Sequence, residues 1–230
     1  PDDLAAVRVI GLAVSVNHFR HWLPDYADCG EIIRGGGLGT LRHVEARFKP
    51  KGLGHMGTHF VAAVLALTGA RVIRVDSALI DTAEAGFDKG GYQDFNGRMD
   101  CRLSNGATMT AASASHPFGG RADFISFHFD SGELHMLDHL QTLLVRDYRT
   151  ASDSERALRR PWMDPPDWAE AFCQVLENAL DDLVEGRRDQ NLEIALDSVR
   201  AVIAAQVAFQ RGAPVDLPLP EDTPTPFNFS

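Results

Sequence analysis

The 230-residue sequence has few of the features that mark secreted, membrane-spanning or nucleic-acid-binding proteins. It contains only three cysteines, and 32 acidic residues outnumber 22 basic ones, for a formal net charge of −10. A sparse, odd set of cysteines without a CxxC pair favours reduced thiols in the cytoplasm over a disulfide framework. A surface that contacts phosphates would need clustered Lys and Arg, and no apolar run approaches the roughly 20 residues of a membrane-spanning helix. We therefore expect a cytoplasmic protein that binds neither nucleic acid nor membranes.

The first third of the sequence predicts two strands and two helices in alternation. The apolar, β-branched run Val7–Val16 is typical of a buried strand, and apolar residues recur at helical spacing in PDYADCGEIIRGG. Leu41–Phe48 alternates imperfectly between apolar and polar residues and predicts a second strand. GTHFVAAVLALTGA predicts a helix with Thr58 as its N-cap and Gly69 at its end.

The rest of the chain predicts a run of strands followed by two helices. Period-2 segments are joined by SNGA and DSGE, which are typical of hairpin turns that require a positive φ, and they predict about five or six mainly antiparallel strands. Two amphipathic helices follow, in PPDWAEAFCQVLENALDDLVEGRRD and NLEIALDSVRAVIAAQVAFQRGAP. Segregated strands and helices indicate an α+β fold with helices on one face of an open sheet. ASAS and FISFHF suggest that the other face is not very polar, so we expect it to form a homodimer or tetramer contact.

One glycine-rich segment invites comparison with a phosphate-binding loop. RGGGLGT, from Arg34 to Thr40, follows a predicted helix and precedes a predicted strand. A dinucleotide fingerprint needs the opposite context, a strand followed by a helix, and a different glycine spacing. We therefore interpret this segment as a helix C-cap and turn.

Two histidines, His55 and His59, lie four residues apart in GLGHMGTHFV, just before an apolar run. Residues at this spacing share a helix face, so the pair could be metal ligands, a catalytic pair or ordinary residues at the start of a helix. A zinc-protease HExxH motif would place its general base where Met56 stands, which argues against that class of site. A metal-dependent lyase or hydrolase that uses both histidines remains an alternative. The histidines that folding could add to such a site are His116, His128, His135 and His139.

Three segments of the chain follow one another in a specific order. LAVSVNHFRHWLPDYADCGEIIRGGGLGTLRHVEARF contains a strand, a segment similar to N-x-R-F-x-P and a helix that ends in G-x-L/I-G. GHMGTHFVAAVLALTG is similar to D-x-G-x-H-x-x-D…L-x-G, and LDSVRAVIAAQVAFQRGAPVDLP ends in G-x-x-V-x-L. In this order the segments resemble the C-terminal part of the glucose–fructose oxidoreductase / inositol dehydrogenase (Gfo/Idh/MocA) family.

The resemblance implies a two-domain enzyme that transfers hydride between NAD or NADP and a sugar, inositol or similar polyol. It implies an α+β domain like the C-terminal domain of dihydrodipicolinate reductase, which holds the substrate and the oligomer contact. Residues 1–23 are then expected to be the last strand of the nucleotide-binding domain, residues 24–219 the substrate and oligomerisation domain, and residues 220–230 a Pro-rich arm. The cofactor would be bound mainly by a domain outside this chain. We expect the C-terminal portion of a longer dehydrogenase, with a free-standing relative as the alternative.

The resemblance also assigns roles to the two histidines. His59 corresponds to the family histidine that commonly serves proton transfer, a role that its ordinary pKa of about 6.5 suits. The family aspartate four residues earlier is His55 here, and the later aspartate is Ala62. A carboxylate that would orient the substrate or the catalytic histidine is therefore missing, and His55 is expected to take over that orienting role.

Substrate contacts are expected in two further segments. Asn17 and Arg20 lie in the N-x-R-F-like segment, where an arginine can hold hydroxyls or a carboxylate. The loop SHPFGGR adds His116, Phe118 and Arg121 as candidates. Because two family carboxylates are replaced, a non-catalytic dimeric binding or scaffold subunit of the same fold is the main alternative to an enzyme.

Overall fold

The computed structural model describes residues 24–49, 52–89, 92–113, 123–137, 142–150, 152–157 and 188–220, together with isolated positions from 173 to 185 and Thr223. The predicted strand at residues 7–16 lies outside the described residues, as does most of the predicted arm. The three-part division of the chain at residues 23 and 219 therefore stays a prediction.

The described residues form three complete helices, nine strands and one π-helical turn. The helices are α1 Pro24–Arg34, α2 Thr58–Thr68 and α3 Arg188–Arg211. The strands are β1 Leu41–Phe48, β2 Val72–Lys89, β3 Tyr92–Leu103, β4 Thr108–Ser113, β5 Phe124–Phe129, β6 Gly132–Leu137, β7 Thr142–Asp147, β8 Ser152–Ala157 and β9 Val215–Asp216. The π-helical turn, Gly52–Gly57, leads directly into α2 and is called the glycine turn below.

All nine strands belong to one open sheet in the order β8-β7-β6-β5-β1-β4-β3-β2-β9. Only the central pair β1–β4 is parallel, so the predicted α+β fold with a mainly antiparallel sheet is confirmed. The sheet is larger than the predicted five or six strands. The segment GELHMLDHLQTLLVRDY contains two strands, β6 and β7, and Val215–Asp216 adds a short strand that pairs with β2.

The core lies between the sheet and the helices. α2 packs against both α1 and α3, and it brings an almost entirely apolar sequence into the interior. The rings of Phe48 on β1 and Phe60 on α2 lie 5.1 Å apart. The alternation of β1 is imperfect because a bulge between Leu41 and His43 shifts its register, after which Val44 and every second residue face the core.

The open face of the sheet carries polar and charged side chains. In FISFHF only the alternate residues Ile125, Phe127 and Phe129 are fully directed to the core, while His128 faces outward. Arginines and aspartates pair across this face, as in Arg102 to Asp76 at 2.8 Å and Arg98 to Asp100 at 2.8 Å. The prediction that this face is not very polar is therefore wrong, because core-facing and outward-facing residues alternate along each strand.

Several turn and cap predictions can be compared with the backbone. Gly69 ends α2 in the left-handed region at φ 66°, and Gly106 in SNGA has φ 87°, as predicted. DSGE forms the predicted hairpin turn, since Phe129 pairs with Gly132 across it, although Gly132 itself does not have a positive φ. Thr58 is not an N-cap either: helical structure already exists at the glycine turn, so its hydroxyl donates back to the carbonyls of Gly54 and His55.

RGGGLGT forms the predicted turn between α1 and β1. Arg34 donates from Nη1 to the carbonyl of Leu67 at 2.9 Å, so the end of α1 satisfies an otherwise unpaired carbonyl at the end of α2. The cysteines Cys29 and Cys101 are buried, and Cys173 is exposed. Among the described residues, no helix is both long enough and apolar enough to cross a membrane.

Candidate functional site

The two histidines of the GLGHMGTHFV segment lie together at the N-terminal end of α2. His55 is exposed on the glycine turn, and His59 is half-buried in the first turn of the helix. Their ring centroids are 6.1 Å apart and their planes are nearly perpendicular, at 87°. The Nδ1 atom of His59 is shielded from solvent. The structure therefore brings together the two residues that the sequence predicted as the catalytic pair.

The glycine turn is anchored from the neighbouring strand β3 by Asp94, whose side chain is completely buried. The Oδ1 atom of Asp94 accepts the N–H of Gly54 at 2.9 Å, and Oδ2 accepts the N–H of His55 at 2.6 Å. Oδ1 also accepts the N–H of Phe95 at 2.8 Å. Helix N-termini leave N–H groups unpaired and favour negative charge, so the carboxylate satisfies both preferences.

A second residue of β3 connects the glycine turn to the end of β4. Asn96 Oδ1 accepts the N–H of Gly52 at 3.1 Å and the hydroxyl of Ser113 at 3.1 Å. Ser113 is the last residue of β4, immediately before the segment 114–122 that contains the candidate loop SHPFGGR. Asn96 therefore links the end of β4 to the first residue of the glycine turn.

The five predicted substrate contacts lie outside the described residues. They are Asn17, Arg20, His116, Phe118 and Arg121. Their assignment stays a prediction.

Further histidines do not gather around His55 and His59 in the described part of the chain. His128 and His135 lie on the open face of the sheet, opposite the face covered by α2, so the idea that folding adds them to a metal site is wrong. His116 and His139 are outside the described residues. Within the described ranges, no group of three or more His, Cys, Asp or Glu residues could hold a metal ion.

The histidines of the open face form a separate cluster, which we call the open-face cluster: His43, His128, His135 and Glu133. His43 and His128 stack with centroids 5.9 Å apart. Glu133 accepts from His128 Nδ1 at 3.1 Å and contacts His135 Nε2 at 3.0 Å. Burial, followed by repulsion from His128, lowers the pKa of His43.

Sequence reasoning missed Asp94 and Asn96, and it also overlooked the spacing of the glycine turn. Gly52, Gly54 and Gly57 follow the pattern G-x-G-x-x-G, between strand β1 and helix α2. That context is the one expected of a dinucleotide loop. Here, however, the Asp94 carboxylate occupies the position at the helix N-terminus where a pyrophosphate would bind, so the described residues do not fit a dinucleotide at this turn.

Comparisons with known proteins agree on the fold. The inositol dehydrogenase homologue of Azotobacter vinelandii, solved with NADH and myo-inositol, superposes over 94% of this chain and 68% of its own, with a TM-score of 0.71 at 17% identity. The aldose-aldose oxidoreductase of Caulobacter crescentus, solved with glycerol, superposes over 93% and 67%, with a TM-score of 0.65 at 18% identity. A super-repressor mutant of Gal80p from Saccharomyces cerevisiae superposes over 92% and 67%, with a TM-score of 0.67 at 10% identity.

No family model matches the sequence, and no curated protein is similar to it at the sequence level. The chain spans about two thirds of the length of the three solved relatives. At identities this low the likeness concerns the fold: the chain has the α+β architecture of the C-terminal domain in oxidoreductases of the Gfo/Idh/MocA type, as the sequence resemblance implied.

Proposed function

We propose that this chain is the substrate-binding and oligomerisation part of an NAD(P)-dependent oxidoreductase that transfers hydride to or from a sugar, inositol or similar polyol. The observation that supports it is the pair His55 and His59, held at a helix N-terminus in a fold shared with such oxidoreductases. Buried cysteines are consistent with a cytoplasmic location. The nicotinamide cofactor would be bound by residues outside the described part of the chain.

The described residues would manage the proton that accompanies hydride transfer. When an alcohol is oxidised, its hydroxyl proton must leave as the hydride departs, and a neutral histidine is suited to accept it. His59 is the proposed acid–base residue because its half-buried ring is fixed on a helix. His55, with its ring edge-to-face against His59, is the proposed orienting partner.

The first prediction concerns His59. Replacing His59 with Ala in the longest native form of the protein should reduce turnover at least about a hundredfold, because a positioned acid–base group contributes on that scale. His43→Asn is a matched control, because His43 lies on the opposite face of the sheet. Turnover with a panel of polyols and either NAD or NADP is the measurement. Near-normal turnover of the His59 variant would contradict the assignment.

A non-catalytic binding subunit of the same fold is the second candidate. The Gal80p structure shows that the fold also occurs in a protein described as a repressor. The family aspartates replaced by His55 and Ala62 agree with a loss of chemistry. This candidate predicts no turnover with any polyol, but saturable binding of a small molecule that the His59→Ala variant weakens.

A further inference from the structure

The N–H groups of the glycine turn are bonded to side chains of the protein itself. Three of its N–H groups, from Gly52, Gly54 and His55, are directed at oxygen atoms of Asp94 and Asn96. These residues lie two apart on β3. The N–H groups are those that a helix start leaves without partners within the helix. The strand therefore completes the helix start from outside.

Asp94 also explains why residue 52 must be glycine. Gly52 has φ 88°, and a Cβ atom at this position would lie only 1.9 Å from Asp94 Oδ2. No side chain fits between the turn and the carboxylate, so both the positive φ and the close approach require glycine. The glycine spacing that is typical of a phosphate loop therefore leaves room here for the carboxylate of Asp94.

We infer that Asp94 is a positioning residue that occupies the anion position of the glycine turn, closes it to phosphate and fixes the backbone that carries His55 and His59. The catalytic consequence rests on the proposed function, whereas the closure of the turn does not. An amide in place of the carboxylate is a poor substitute, because one of its two polar atoms is a donor that would face an N–H group of the turn.

The first test compares two variants of the same strand. Asp94→Asn should accelerate hydrogen exchange of the Gly54 and His55 amides by at least about tenfold, since local opening exposes those bonds. Asp100→Asn is the matched control, because Asp100 pairs with side chains on the open face rather than with the turn. It should leave the exchange of both amides unchanged. Unchanged exchange in Asp94→Asn would overturn the inference.

The second test uses the unmodified chain and so does not depend on whether a variant folds. Titration with inorganic phosphate should leave the amide resonances of Gly52, Gly54 and His55 in place, because their N–H groups are already bonded. A saturable shift of these resonances at millimolar phosphate would show that the turn is open to anions and would overturn the closure.

The catalytic consequence has its own readout. In the longest native form, Asp94→Asn should lower kcat about tenfold while KM changes little, since a misplaced acid–base pair affects the chemical step more than binding. An unchanged kcat would overturn the positioning role. Failure of the proposed function is distinguishable, because it would appear as no turnover in the unmodified protein or as normal turnover in His59→Ala, while the amide-exchange and phosphate results still stand.

Discussion

A carboxylate does approach residue 55, but it belongs to Asp94 on β3 and not to the side chain of residue 55 itself. The Gfo/Idh/MocA resemblance implies an aspartate at this position, where the chain has His55. Asp94 accepts the backbone N–H of that residue, from 39 positions along the chain. The local chemistry at the start of α2 therefore depends on a residue that no local motif includes.

His43 leads to a prediction about stability and pH. Burial lowers its pKa in the folded protein below the unfolded value of about 6.5, so the unfolded chain binds more protons just below that pH. Stability should therefore fall as the pH decreases from about 6.5 toward the folded pKa of His43. Melting temperatures of the unmodified protein and His43→Asn, measured by circular dichroism across this range, should show a smaller decrease in the variant.

Other titratable groups near His43 also affect how stability depends on pH, and their contributions must be distinguished from that of His43. The nearby groups that can change charge are Glu45 on the same strand, His128 on β5, His135 and Glu133 on β6, and Asp100 on β3. Burial raises the pKa of Glu133, but hydrogen bonds from Tyr148 and the two histidines outweigh it, so the net pKa is lowered. Its contribution is lost only at more acidic pH, below its unfolded value of about 4.3. Parallel pH curves for both proteins near pH 6 would contradict the role of His43.

At the scale of the elements, glycine sets how closely strands can approach. Gly132 begins β6, and a Cβ atom there would lie 2.4 Å from the carbonyl oxygen of Arg146 on β7 and 2.9 Å from Leu38. This glycine does not have a positive φ, and its small size leaves room for the partner strand. The pairing of β6 with β7 depends on that space.

Gly132→Ala should therefore lower the free energy of unfolding by about 1–3 kcal/mol, the usual cost of forcing extra atoms into a packed site. Gly37→Ala is the matched control, because nothing lies within 4 Å of its Cβ position and its φ is not positive. It should change the free energy of unfolding by less than about 0.5 kcal/mol. Denaturant unfolding of the two variants is the measurement, and equal effects would show that the close approach does not govern stability here.

The sequence predicted those elements whose signals are local. Periodicity and a terminal glycine were sufficient for α2, and residues four apart were sufficient to pair His55 with His59. The anchor at Asp94 could not be predicted this way, because the strand pattern of YQDFNG gives no indication of which distant turn its acid will meet. The bulge in β1 and the pairing of β9 with β2 likewise depend on tertiary contacts.

For the whole molecule, the open face of the nine-stranded sheet is the face that the helices leave uncovered among the described residues. Its arginines and aspartates pair with one another, along a strand in Arg74–Asp76 and Arg98–Asp100 and between strands in Arg102–Asp76, which leaves little unbalanced charge on a surface of mixed polarity. Such a face can be buried against a second copy without isolating single charges. This supports the proposal of a homodimer or tetramer.

Ala112, on β4 near the middle of this face, offers a test of self-association. Ala112→Arg should convert the oligomer to monomer, because it adds bulk and an unpaired charge at the centre of the contact. Glu31→Arg on the exposed side of α1 is the control and should not change the mass. Sedimentation of each variant measures this, after circular dichroism has shown that the fold is retained. An Ala112 variant with the parent mass would exclude this face as the contact.

The central position of β1 has a consequence for how the chain folds. This strand precedes both of its neighbours in the chain, because β4 and β5 are formed by residues 108–113 and 124–129. Until those residues leave the ribosome, β1 has two unpaired edges and a hydrophobic face without a partner. Such long-range pairing slows folding, so nascent chains from which residues 124–129 have not yet emerged should depend on chaperones, whereas loss of the peripheral strand β8 should leave the centre of the sheet intact.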